Sequence, residues 1–166
     1  MPTNGGTKSA DSPYQLQLFS NLPLYTTQLV CETKFPFCER IQVSAPADVV
    51  PILQEYFRLK DREEMILVLL DTANTVLGLS LVSVGGLAAS IVEPRQVFKV
   101  AILANAAAVI LAHNHPSQNP EPSREDIRIT RQLVEAGQLM GVPVHDHLII
   151  AGATYTSLAE RGLMSP

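Results

Sequence analysis

Three short apolar runs, Met65 to Leu70, Ala106 to Ala112 and Val144 to Ile150, are set between segments of helical periodicity, and this rhythm restricts the fold more than any other feature of the chain. Met65 to Leu70 carries no helix caps and runs into turn material at Asp71 to Asn74, so it is expected as a buried strand. Leu77, Leu79 and Leu81 alternate with Gly78, Ser80 and Val82 and end at Gly85-Gly86, which predicts a second strand in a hairpin with the first. Ala106 to Ala112 and Val144 to Ile150 are expected as two further strands.

The intervening segments read as helices. Ser44 is a candidate N-cap with Pro46 and Asp48 in the first turn, and Val49, Leu53, Tyr56 and Phe57 recur at helical spacing, predicting a helix to about Leu59. Pro94 opens a second, with Val97, Phe98, Ala101, Ile102 and Asn105 along it. Ser123 opens a third, with Ile129, Leu133, Ala136 and Met140 on one face and Gly141 and Pro143 closing it. Helices interleaved with strands in this order predict an α/β sandwich with functional groups where strands end and helices begin.

A chain of 166 residues with 46% hydrophobic and 17% charged residues has room for one domain with a sizeable core. The texture divides it into an N-terminal arm over residues 1–40, read as flexible or oligomer-contacting, and a domain over 41–166. Scattered apolar residues of the arm (Leu16, Leu18, Phe19, Leu22, Leu24, Tyr25) leave packing on the domain or homo-oligomer formation open. A formal net charge of −4 gives no general attraction to phosphate backbones, so nucleic acid is a partner the charge does not support. Cys31 and Cys38 are too few for a disulfide scaffold and lack CxxC spacing. The N-terminal stretch has no signal-peptide pattern, and the longest uncharged stretch, Val76 to Val92, is broken by glycines and serines. A cytoplasmic protein without a membrane span is therefore expected.

All four histidines fall between His113 and His147. If the strand continues through His113 and His115, period-two geometry puts both imidazoles on one face, close enough to share a metal. A stiff loop with Pro116, Pro120 and Pro122 follows, then Ser123 and Asp126 at a helix start, where a third ligand can arrive. Two imidazoles and one carboxylate match a catalytic zinc site with a fourth position left to water. Such a site needs a carboxylate base that is not a ligand, and Glu63 and Glu64, just before the first strand, are both candidates. Ser123 is a candidate donor to the oxyanion of a tetrahedral intermediate. The bland readings are a surface or core histidine pair and a helix capping box at Ser123-x-x-Asp126. His145 and His147 also share a strand face, but a structural role is the favoured reading, with His147 beside Asp146. Arg124, Arg128 and Arg131 recur at helical spacing and are read as a solvated face.

His113-Asn114-His115-Pro116-Ser117, Pro122-Ser123-Arg124-Glu125-Asp126 and Asp146-His147-Leu148-Ile149-Ile150 together resemble RadC proteins of the JAMM (MPN+, JAB) metalloprotease superfamily. That superfamily's pattern is an upstream Glu, H-x-H, seven residues, Ser, two residues, Asp, and the spacing from His115 to Ser123 to Asp126 reproduces it. Glu93-Pro94-Arg95, Asn105 to Ala112 and Ala159-Glu160-Arg161-Gly162 support the resemblance, which covers roughly Ser44 to Leu163. It implies a layered α-β-α sandwich of the JAB/MPN (cytidine deaminase-like) type with a mixed sheet. It further implies zinc held by His113, His115 and Asp126, Ser123 assisting the intermediate, and a Glu before the first strand as base. Alignment on Arg62-Glu63 favours Glu63, with Glu64 the next-register alternative. Gln118 departs from the family, standing where Gly is usual, and His145 replaces a usual apolar residue. The helix-hairpin-helix region that RadC proteins often carry for DNA binding has no counterpart in residues 1–40.

Three functions compete. The leading expectation is a zinc-dependent metallopeptidase or isopeptidase acting on a peptide or protein substrate. The alternatives are a DNA-repair-associated protein or metal-dependent nuclease, and a non-catalytic interaction scaffold. A zinc deaminase is excluded because H-x-E and P-C-x-x-C are both missing.

Overall fold

The computed structural model describes residues 25–32, 40–85 and 92–165. In chain order the described elements are α1 (Pro46–Phe57), β1 (Glu64–Leu70), β2 (Val76–Val84), α2 (Pro94–Leu103), β3 (Ala108–Asn114), α3 (Arg124–Met140), β4 (Val144–Ala151) and β5 (Thr154–Ser157). The strands form one sheet in the order β2-β1-β3-β4-β5. β1 pairs antiparallel with both β2 and β3, β3 pairs parallel with β4, and β4 pairs antiparallel with β5. The sheet is mixed, as expected.

Alternation along the two central strands sorts their side chains into two cores. Met65, Leu67 and Leu69 of β1 and Val109 and Leu111 of β3 pack against Val97 and Phe98 of α2 and Ile129 and Leu133 of α3. Ile66, Val68, Leu70, Ala108, Ile110 and Ala112 point the other way, against Val49, Leu53 and Phe57 of α1. Both faces are covered, which is why β1 and β3 read as continuous apolar runs instead of alternating ones. The result is a three-layer α-β-α sandwich. Continuing the alternation one step past Leu111 puts His113 on the face that looks at α3.

Several boundaries shift for physical reasons. α1 stops at Phe57 and its N-cap is Ala45, not Ser44. The Asp48 carboxylate at N3 accepts both the Ser44 and Ala45 N–H groups at 2.8 Å, the half of a capping box in which the N3 side chain reaches back to the N-cap backbone. β3 starts at Ala108 and runs through His113 to Asn114. α2 ends at Leu103, and Asn105 sits in a turn with φ of 50°. On α3 the buried stripe is Asp126, Ile129, Thr130, Leu133 and Gly137, whereas Met140 is exposed. A β-carbon on Gly137 would stand 2.6 Å from the Val142 carbonyl oxygen and 3.0 Å from the Phe98 ring, so this glycine lets α3 close on α2. β5 has no apolar run of its own and was not expected from the sequence.

Most of the predicted arm, including Leu16, Leu18, Phe19, Leu22, Leu24 and Cys38, lies outside the described residues, as does Gly86. Tyr25 is exposed and residues 25–32 form no helix or strand. Among the described residues no helix is long and apolar enough to cross a membrane.

Candidate metal centre

His113 is fully buried on the α3-facing side of β3. The chain keeps its pairing with β4 for one residue more, the His115 N–H donating to the Ile150 carbonyl at 2.8 Å. Period two is thereby preserved, and the two imidazoles meet with Nε2 to Nε2 at 2.9 Å. The Nδ1 of His115 lies 2.7 Å from the Asn119 carbonyl oxygen, which can only accept. That ring therefore carries its proton on Nδ1 and turns the Nε2 lone pair toward His113.

Asp126 comes to the same point from the first turn of α3. Its Oδ1 is 3.5 Å from Nε2 of His113 and its Oδ2 is 3.6 Å from Nε2 of His115. Ser123 caps the helix, Oγ accepting the Asp126 N–H at 3.1 Å, while Oδ2 of Asp126 accepts the Ser123 N–H at 2.7 Å. This reciprocal capping box fixes the carboxylate. The serine oxygen is occupied as an acceptor in that bond, the capping box of the bland reading.

Glu63 completes the group. One ligand atom from each of Glu63, His113, His115 and Asp126 lies within 4.8 Å of all the others. Glu64 goes to the opposite face, where its carboxylate accepts the Tyr56 hydroxyl at 3.1 Å and pairs with Lys60 at 3.0 Å. Burial, with the Glu64 carboxylate alongside, pushes the Tyr56 hydroxyl up to about 12. The strand alternation that separates Ile66 from Met65 also separates the two glutamates.

The electrostatics suit a cation. Burial of Asp126 opposes its ionisation, but the neighbouring His115 imidazole and the Ser123 contacts outweigh it and hold the carboxyl below the usual range. Burial, with His147 alongside, keeps His113 well below the ordinary imidazole range, so it is held neutral. The neighbouring Asp126 carboxylate, which favours the protonated ring, raises His115. Two converging lone pairs, an ionised carboxylate and a second carboxylate at the rim form a donor set for a divalent metal such as zinc.

The remaining candidates divide cleanly. His147 is fully buried and its Nε2 meets Nδ1 of His113 at 2.8 Å, whereas His145 is exposed. The register shifts by one residue where Val109 faces Val144 and Ile110 faces Asp146, so His145 is the extra residue of a bulge and shares no site with His147. Asp146 accepts the His147 N–H at 2.6 Å and the Ser157 hydroxyl at 2.6 Å, tying β4 to β5. Arg128 pairs with Glu125 and Arg131 donates to the Leu163 carbonyl, so the arginine row forms no bare basic stripe. Two buried polar residues without a role in the sequence reading also touch the site. Asn114 bonds the chain on either side of Glu63, and Thr130 stands against His147. Asn114 was detectable as the opposite-face residue between two histidines, and Thr130 as a polar residue one turn after Asp126.

The profile of the RadC-like JAB domain matches residues 43–163. The chain belongs to this family. It is 63% identical over 126 residues to a UPF0758 protein of Salinibacter ruber, covering 76% of this chain and 54% of that protein. A UPF0758 protein of Moorella thermoacetica is 45% identical over 160 residues, covering 96% of this chain and 65% of that protein. One from Methanosarcina mazei is 46% identical over 123 residues, 74% of this chain and 54% of that protein. The chain thus spans between about half and two thirds of the length of these relatives. The JAB domain and the Glu/His/His/Asp cluster together fit a metallohydrolase.

Proposed function

We propose that this RadC-like JAB domain is a zinc-dependent hydrolase of peptide or isopeptide bonds, with His113, His115 and Asp126 as metal ligands and Glu63 as general base. The observation that carries the reading is the convergence of two imidazole Nε2 atoms and two carboxylates from three separate segments within 4.8 Å. Zinc held by His113, His115 and Asp126 would supply Lewis acidity and make water a better nucleophile. Glu63, at the rim and not buried with Asp126, takes a proton from the attacking water and delivers it to the leaving amine. Ser123 steadies Asp126 through the capping box and donates its hydroxyl proton toward the oxyanion.

A cleft of about 500 Å³ opens beside His115 and Asn114, bounded by Gln54 and Arg58 of α1, Gln118 and Gly152. Of the four residues of the metal cluster this cleft touches His115 alone, so the choice of substrate class rests on the net charge of −4, which favours a peptide over a polyanion. This weighs against the nuclease alternative. The filled ligand set weighs against a scaffold without a metal.

The test is elemental analysis of the purified protein beside His113→Ala, Asp126→Ala and Glu63→Gln, with circular dichroism to confirm folding. About one zinc per chain is expected in wild type and Glu63→Gln, and a loss in the two ligand variants. Peptide and isopeptide cleavage is expected in wild type and at least 100-fold less in Glu63→Gln. A wild type that cannot be loaded with zinc overturns the proposal.

A further inference from the structure

Three buried polar groups lead away from His113 in a line. Its Nδ1 meets Nε2 of His147 at 2.8 Å, Nδ1 of His147 meets Oγ1 of Thr130, and Oγ1 of Thr130 lies 2.6 Å from the backbone carbonyl oxygen of Asp126. With neutral rings one proton arrangement satisfies these three contacts, and it leaves the Nε2 atoms of His113 and His115, 2.9 Å apart, as two facing lone pairs. The Asp126 carbonyl has no proton, so the Thr130 hydroxyl must donate to it, a back-bond one helical turn long. With its proton committed, Oγ1 can only accept, so His147 is protonated on Nδ1. The Nε2 of His147 is then an acceptor, which requires the proton of His113 on Nδ1.

We infer that Thr130 and His147 are positioning residues that force His113 into the Nδ1–H tautomer and leave its Nε2 lone pair facing His115, Asp126 and Glu63. The inference rests on the metal-site reading above but concerns the state of the protein before any ion arrives. The relay starts at the carbonyl of Asp126, whose carboxylate is a ligand of the same site, so one helical turn of α3 orders both a carboxylate and an imidazole donor. Asp126, Thr130, His147 and His113 are all buried, so water does not offer the rings an alternative partner. Burial alone would tolerate either tautomer. The opposite one would place a proton on Nε2 of His113, at the point where a ligand atom is needed.

The decisive measurement is the tautomeric state of each histidine in the metal-free protein at neutral pH, read from imidazole ¹⁵N shifts and long-range ¹H–¹⁵N correlations. His113 and His147 should both be Nδ1–H. A wild-type His113 protonated on Nε2 overturns the inference outright. Thr130→Val, which keeps the shape and removes the hydroxyl, should shift His147 and with it His113 toward Nε2–H. It should also lower the affinity for Zn²⁺, measured by chelator competition, about 10–100-fold, and Thr130→Ser should restore both. A merely structural threonine would change stability and leave tautomer and affinity alone, and that outcome in Thr130→Val also overturns the relay. If Thr130→Val does not fold, the wild-type spectrum still decides. Neither readout involves substrate, so correct tautomers in a protein that cleaves no peptide would remove the hydrolase reading and keep the relay.

Discussion

The side-chain oxygen of Asn114 accepts the backbone N–H of Glu64 at 2.7 Å, while its amide donates to the Arg62 carbonyl at 2.9 Å. One buried amide therefore spans the residue between them, Glu63. The strand that turns His113 toward α3 turns Asn114 the other way, onto the end of β1, so the H-x-H motif sets two ligands and clamps the backbone of the candidate base.

Asn114→Ala should leave a buried N–H and carbonyl unpaired at the cost of about 1–3 kcal/mol of stability. Zinc stoichiometry should stay near that of wild type, while any Glu63-dependent turnover falls. Metal analysis and urea unfolding on the same preparation check this. Loss of the metal would show that Asn114 supports the ligands themselves.

Ser123→Ala removes the Oγ acceptor of the Asp126 N–H and should lower stability by about 1 kcal/mol. Ser123→Asn, a good cap without a hydroxyl, should recover the stability. If catalysis uses the hydroxyl as well as the cap, turnover in Ser123→Asn stays low although its unfolding midpoint returns.

Gln118 has a φ of 60°, in the left-handed region that favours glycine. This is the position where the sequence departs from the family's usual Gly, and the backbone there keeps a glycine-like conformation despite the side chain. Gln118→Gly should raise stability by about 0.5 kcal/mol, relief of strain outweighing glycine's extra chain entropy. A shift of the urea midpoint to higher concentration at constant slope is the expected sign.

Gly137→Ala should be destabilising by about 1–3 kcal/mol, since the new methyl has only 2.6 Å to the Val142 carbonyl oxygen. Thermal unfolding measures it. An unchanged Tm would mean that the Val142 backbone after α3 and the Phe98 ring give way at no cost.

The metal-free protein should lose stability in mild acid. Burial depresses His147 from 6.5 to about 4, so between these values the unfolded chain binds a proton that the folded one refuses. Stability is full above 6.5 and declines as the pH falls toward 4, by about 2 kcal/mol from pH 7 to pH 5 for this group alone. His113 is depressed in the same direction. His115 is raised and works oppositely, its contribution being present at low pH and lost as pH rises through its folded value. Urea midpoints of wild type at the two pH values, beside His147→Gln with a smaller difference, test the sign.

Much of this protein can be read from the order of its residues. A continuous apolar run marked β1 and an alternating one β2, Gly141 stopped α3 with a φ of 70°, and the spacing from His113 to Asp126 pointed to the candidate metal cluster. Those features are local, because each depends on a repeat or a cap within one element. What local pattern could not decide was register and partnership. Glu63 and Glu64 are equivalent in local pattern, the resemblance alone favouring Glu63, and the pairing of β1 with β3 turns one toward the histidines and the other toward Tyr56 and Lys60. His145 and His147 looked like a pair until the bulge opposite β3 turned one outward. Thr130 and Asn114 acquired their partners from strands and helices distant in the chain, since a buried hydrogen bond is chosen by whichever acceptor the packed elements bring within reach.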